Sequence, residues 1–135
     1  LSTLESIRQS LISVFKTAHD ALYPGVLCNY PNHAVVDIDR QRDPFVSVEL
    51  VFQGAEQAML GDSDTEAHGI MSVTFYVQDG DGMKSASEYA DAIMQELAAQ
   101  YASSGVFVFA PSIHTVRTFE GWSGLMLAFR FRSGV

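Results

Sequence analysis

Two stretches of strict alternation, Phe45 to Phe52 and Ile70 to Val77, limit what this chain can fold into more than any other feature. In the first, Val46, Val48, Leu50 and Phe52 share one side and Ser47 and Glu49 the other. In the second, Met71, Val73, Phe75 and Val77 oppose Ser72, Thr74 and Tyr76. A period of two with one apolar side describes a pleated strand buried on a single face. The stretch between them, Gln53 to Gly69, is polar and acidic, so the two strands are expected to pair as a hairpin with a long connection. Connections of that length inside a small domain usually carry function, which makes this loop the first candidate site.

Two helical stripes frame the hairpin. Leu4, Ile7, Leu11, Val14, Phe15, Ala18 and Leu22 recur at steps of three and four, and Pro24 and Gly25 follow. The spacing predicts a helix from about residue 3 to 22, with Ser2 as cap and Glu5 closing a capping box. Arg8, Gln9, Ser13, Lys16 and Asp20 form its wet side. After the turn Asp79-Gly80-Asp81-Gly82, a second stripe runs through Ala86, Tyr89, Ala90, Ile93, Met94, Leu97 and Tyr101, closed by Ser103, Ser104 and Gly105. Val26 to Asn29 and Val35 to Ile38 are short strand candidates. Val106 to Ala110, Ile113 to Phe119 and Gly124 to Phe131 are further strands, the last with Leu125, Leu127, Phe129 and Phe131 on one face and Arg130 and Arg132 on the other. Condensed to its main elements, the order is α-β-β-α-β-β. The expected class is α+β, a mainly antiparallel sheet packed against two helices. With 135 residues, 47% of them hydrophobic, residues 1–135 suit a single domain.

Charge narrows the partners. The formal net charge is -8, which argues against a groove that grips nucleic acid by neutralising phosphates. Glu49, Glu56, Asp62, Asp64, Glu66, Asp79, Asp81, Glu88, Asp91 and Glu96 make the middle acidic, with Lys84 its only base; Arg117, Arg130 and Arg132 against Glu120 make the tail mildly basic. Opposite potentials of that kind steer subunit association. The apolar stretches are too short to span a bilayer. A lone cysteine, Cys28, with Glu5 and Arg8 interrupting the first apolar series, leads us to expect a chain kept in a reducing cytoplasm.

Motifs that carry chemistry fall short. Gly80-Asp81-Gly82-Met83-Lys84-Ser85 follows a strand and opens a helix, but a phosphate loop needs glycine where Met83 stands, and two aspartates would repel a phosphate. As a calcium loop the same segment has Met83, Lys84 and Ala90 at ligand or glycine positions. Asp62, Asp64, Glu66 and His68 alternate, which offers metal ligands on one side of an extended chain, although a solvated acidic loop tip accounts for them better. Gly121-Trp122-Ser123-Gly124 precedes a strand where a nucleophile elbow would follow one. His19 fits the surface of the first helix, and Cys28 fits a small core position. No acid, base and nucleophile set emerges, so no enzyme, cofactor or metal is expected.

Several landmarks together resemble the tail-terminator-like minor tail proteins of long-tailed bacteriophages and prophages. These are the capped first helix, Glu56-Gln57-Ala58-Met59-Leu60-Gly61 after a strand, and a polar loop ending at Gly69. Gly80-Asp81-Gly82 before a helix bearing Ala86, Ala90 and Asp91 follows, then Gly121-Trp122 ahead of a last strand ending Phe129-Arg130-Phe131. The resemblance implies an α+β subunit of a hexameric ring that caps the finished tail tube, stops its polymerisation and offers a head-docking surface. Its implied partners are further copies of itself, the tail tube protein and the head–tail connector protein, at the head-proximal end of the tail in a virion assembled in the host cytoplasm. DNA would pass through without specific binding, and no membrane is involved. On that reading Asp62, Asp64 and Glu66 are expected to face the lumen or tube, and Arg130, Arg132 and Trp122 to lie at subunit interfaces. Other readings are another phage neck or head-completion protein, or a small-ligand-binding domain whose cavity is lined by Phe75, Phe107, Phe109 and Phe129.

Overall fold

Thr3, one residue later than expected, caps the first helix. In the computed structural model, which describes residues 3–31, 35–37, 40–56, 66–80, 82–101, 106–117 and 121–133, α1 spans Leu4–Leu22. Because α1 begins at Leu4, the third helical position falls on Ser6. Thr3 Oγ1 accepts from the Ser6 N–H at 3.1 Å and Ser6 Oγ accepts from the Thr3 N–H at 2.8 Å. Glu5 is thereby freed from the box and receives Arg8 Nε and Nη2 at 2.8 and 2.6 Å. The helix stops at Tyr23, whose N–H still reaches the His19 carbonyl at 2.7 Å before Pro24 removes the next donor.

The remaining elements are β1 (Cys28–Asn29), β2 (Phe45–Glu56), β3 (Glu66–Gln78), α2 (Lys84–Tyr101), β4 (Val106–Val108), β5 (Ser112–Arg117) and β6 (Trp122–Ser133). The order is therefore α-β-β-β-α-β-β-β, which corrects the expected α-β-β-α-β-β while keeping the α+β class. The condensed order left out strands expected one by one at Val26 to Asn29, Val106 to Ala110 and Ile113 to Phe119, and they have two physical causes. Cys28 and Asn29 add a short parallel pairing to Val46 and Ser47, and the Val46 N–H meets the Leu27 carbonyl at 2.9 Å. At the far side one edge strand is broken in two by a bulge: Val108 pairs with Phe131 and Ser112 with Ala128, so three residues oppose two. The Phe109 N–H still reaches the Arg130 carbonyl at 2.9 Å, and Pro111, which has no N–H to give, sits in the break. The expected strand at 35–38 is not formed over its described part; Asn29 Oδ1 takes the N–H groups of Val35 and Val36 at 2.7 and 3.0 Å.

Among the described residues six strands make one sheet in the order β1-β2-β3-β6, with β4 and β5 both on the outer side of β6. The expected antiparallel hairpin is β2–β3, and its ladder continues through Gly54–His68 to Glu56–Glu66, past a shift between Phe52 and Gly54. The polar stretch from 53 to 69 is thus strand at both ends. One inner face holds Val46, Val48, Met71, Val73, Phe75, Val77, Leu127, Phe129 and Phe131, which pack with Ile7, Leu11 and Phe15 of α1 and Ala86, Tyr89, Ile93 and Leu97 of α2 into one core. Fully burying such a side chain stabilises by about 1.5–3 kcal/mol. Gly69 is required on that face, since the Val51 carbonyl and the Phe131 ring occupy the space a Cβ would need. No helix of the described residues is long and apolar enough to cross a membrane.

Candidate assembly face

Strand parity puts the tail arginines on the sheet face that the helices leave bare. β3 pairs with β6 without a register shift, so Arg132 lies beside His68 and Arg130 beside Ile70. On the other side of β6, Phe107 pairs with Arg132, and Phe109 reaches Arg130 through the backbone bond already described. Two parallel rows result, Gly54–His68–Arg132–Phe107 and Val51–Ile70–Arg130–Phe109. Phe107 is 62%, Phe109 56% and Val51 57% exposed. Arg130 and Arg132 are exposed too, and neither has an ion-pair partner among the described residues. Exposed aromatic rings alternating with uncommitted guanidinium groups have the composition of a docking surface, where Arg and large aromatics are enriched.

At the hairpin end of this face a recess of about 650 Å³ is bounded by Gly54, Glu66, His68, Phe109, Arg130 and Arg132. Gly54 makes it possible, because the His68 ring fills the space a Cβ there would take. Glu66, read from the sequence as part of an acidic loop, is the exposed first residue of β3 and shares the recess with both arginines. Asp62 and Asp64 lie outside the described residues. Sequence reasoning treated loop and arginines separately, and register brings them together. It missed Phe107 and Phe109 as members of this face, since only the pairing of β4 with β6 puts them there.

Trp122 does not join them. It is 2% exposed, its ring held edge-on by Phe45 at 5.0 Å, while Phe45 stacks on Tyr76 at 5.0 Å. The expected interface anchor is thus spent on a small aromatic cluster on the outer face. His19 also departs from expectation. It is 1% exposed, with Nδ1 2.9 Å from the Tyr89 hydroxyl and Nε2 2.9 Å from the Val26 carbonyl. It therefore ties α1 to α2 and to the approach to β1. Cys28 is buried, and burial pushes its thiol up to about 12, the opposite of what a nucleophile requires. The phenols of Tyr89 and Tyr101 are raised by burial as well. Among the described residues no three His, Cys, Asp or Glu side chains converge on a metal position.

A second recess, about 630 Å³, runs between α2 and the broken edge strand, against Met94, Leu97, Tyr101, Val106, Pro111 and Phe129. Phe107 and Phe109 border it, as expected for a ligand cavity, whereas Phe75 is drawn away to stack on Tyr89 at 4.8 Å. The Tyr101 hydroxyl does not face a ligand; it donates to the Leu11 carbonyl at 2.6 Å.

Among the described residues, fold and face define two helices on an α+β sheet that presents an arginine and aromatic surface on its open side. No family model and no curated protein matches the chain. Among solved structures 28 chains match. One of them, whose designation describes no activity, aligns over 100% of this chain and 98% of its own with a TM-score of 0.63 and 14% identity. A likeness at that identity establishes a shared fold and nothing further.

Proposed function

We propose that the chain is a ring-forming tail terminator of a tailed phage or prophage, capping the tail tube, stopping its polymerisation and providing the head-docking surface. The observation that carries this reading is the bare outer face, where Arg130 and Arg132 stand beside Phe107 and Phe109 with no ion-pair partner among the described residues. A single copy gains nothing from exposing that surface, and a neighbour or tube bearing acids would cover it. The sequence resemblance supplies the identity of the assembly. The acid-rich middle of the chain suits a lumen through which DNA slides without being held, and the segment with Asp62, Asp64 and Glu66 is the part assigned to lumen or tube.

Light scattering across protein and magnesium concentration, followed by negative-stain microscopy with purified tail tubes, tests the proposal. Rings of six copies, free or at tube ends, are expected, and Arg130→Glu with Arg132→Glu should abolish them. A chain that stays monomeric and never binds tubes overturns it. The recess between α2 and β4 favours a second reading, a binder of a small apolar molecule. Native mass spectrometry of freshly purified protein decides that one: a stoichiometric adduct supports it, and bare protein removes it.

A further inference from the structure

We propose that β5 of one copy pairs antiparallel with the free edge of β2 in the next copy, so that the sheet continues from subunit to subunit. The inference rests on the reading that copies of this chain assemble, and it names the surface through which they do so.

Both edges are open among the described residues. β6 covers one side of β5 and no strand covers the other. Every side chain of β5 except Val116 is exposed, on both faces of the sheet, so the strand is held by its ladder to β6 and buries little of its own surface. On β2, β1 occupies only Val46 and Ser47, and the register shift comes after Phe52, which leaves 48–52 as a free, regular stretch. Neither 48–52 nor β5 contains lysine or proline, devices that natural edges use against strand addition.

The bonding groups match. The Val46 N–H points to the β1 side, so the N–H and C=O groups of Val48, Leu50 and Phe52 point to the same free edge. The Arg130 carbonyl points to the edge strand, which places the groups of Ala128, Met126 and Gly124 there as well; their β5 partners are Ser112, His114 and Val116. Ile113, Thr115 and Arg117 therefore present their bonding groups outward. They lie on the helix-covered face with Leu127, Leu125 and Ser123, as Val48, Leu50 and Phe52 do with Val73, Met71 and Gly69. Joining these edges antiparallel makes the bonds and keeps both faces continuous; a slip by one residue would break both. The register that uses the whole free stretch sets Ile113 against Phe52, Thr115 against Leu50 and Arg117 against Val48. On the bare face it sets His114 against Val51, diagonal to Glu49.

Charge selects this pairing over its alternatives. β5 carries His114 and Arg117 and no acid, while β2 carries Glu49 and Glu56 and no base. Two β2 edges centred on Leu50 would set Glu49 diagonal to its own copy on the bare face, like charges together.

Paired cysteines provide the test. His114→Cys with Val51→Cys, oxidised during assembly, should yield a covalent ladder of copies, whereas the off-face pair Ile113→Cys with Val51→Cys should not. Thr115→Pro removes an outward N–H that the subunit itself does not use, and is expected to keep the helical circular dichroism while losing assembly. Rings that form without the His114–Val51 crosslink, or that survive Thr115→Pro, overturn the edge pairing and leave the ring reading standing. Crosslinking of His114→Cys alone indicates a β5–β5 dimer and overturns it too. Wild-type protein that stays monomeric in solution and on tubes overturns both.

Discussion

Replacing His19 by Phe should cost roughly 2–5 kcal/mol, although the ring size and the stacking on Phe15 are kept. The Phe15 and His19 rings lie 5.8 Å apart and 20° from parallel, so the apolar packing of the site survives the change. What disappears is polar. The Val26 carbonyl can only accept, so Nε2 carries the proton it receives, and in the neutral ring Nδ1 accepts from the Tyr89 hydroxyl. Each of the two buried partners left without a bond costs about 1–2.5 kcal/mol where no water reaches it, which makes up the total. Tyr89→Phe alone orphans only Nδ1 and should cost ~1–2 kcal/mol. In the double variant no hydroxyl is stranded, so its cost should fall short of the sum by about 1–2 kcal/mol. Urea unfolding of the four proteins measures this, read as midpoint shifts at constant slope. A His19→Phe protein within ~0.5 kcal/mol of wild type, or a strictly additive cycle, would refute the claim that this histidine joins the helices.

Gly69→Ala should destabilise by about 1–3 kcal/mol or more, because its Cβ meets the Val51 carbonyl and the Phe131 ring. Gly25→Ala, with nothing within 4 Å, should be neutral or stabilise by up to ~1 kcal/mol, and thermal melts of both variants check the contrast. Cys28 should resist a disulfide-exchange reagent at pH 8 until the protein is unfolded, as expected for a thiol pushed up to about 12. The same shift contributes stability that is complete below pH 9, the thiol's ordinary value, and is lost as pH rises from 9 towards 12 at up to ~1.4 kcal/mol per pH unit. Tyr89 and Tyr101, raised by burial, act in the same direction above pH 10, so an unchanged urea midpoint between pH 8 and pH 11 would refute the burial argument. Raising salt from about 0.05 to 0.5 M should slow assembly, with a smaller effect on the dissociation rate of formed rings, because screening acts on charge steering before it acts on paired backbone; stopped-flow light scattering separates the two rates.

Legibility followed the range of the interaction. The stripe of α1 and the alternation in β2 and β3 are local patterns, and each element appears where its pattern lies. The ladder runs beyond both alternating stretches, to Glu56 and Glu66, because backbone pairing needs no apolar side chain. The short strand expected at Val26 to Asn29 forms only at Cys28 and Asn29, the two residues that meet a segment eighteen positions on, Val46 and Ser47. His19 did leave a signal: it stands four residues after Phe15, on the stripe itself, and burial follows if a polar partner exists across the core. That partner, Tyr89, belongs to the other helix. The outward alternation of Arg130 and Arg132 was visible, but their aromatic neighbours depended on the pairing of β4, and the burial of Trp122 depended on Phe45 from across the sheet.

The unequal charge of the sequence acquires a direction in the sheet. β2, which carries acids and no base, lies towards one margin, and β5, which carries Arg117 and no acid, forms the other. An isologous dimer of two β2 margins brings Glu49 close to its own copy, so like charges meet across the join and oppose it. A head-to-tail contact brings unlike margins together, and a contact of that kind repeats, closing into a ring if each copy turns by a fixed fraction of a circle and growing into a filament if it does not. Six copies require about 60° per step. The right-handed twist of the sheet supplies part of that rotation for every strand added, and the register shifts beside β5 and in β2 are where a bulge lets a strand bend. Ring size on this argument is set at the two bulged margins.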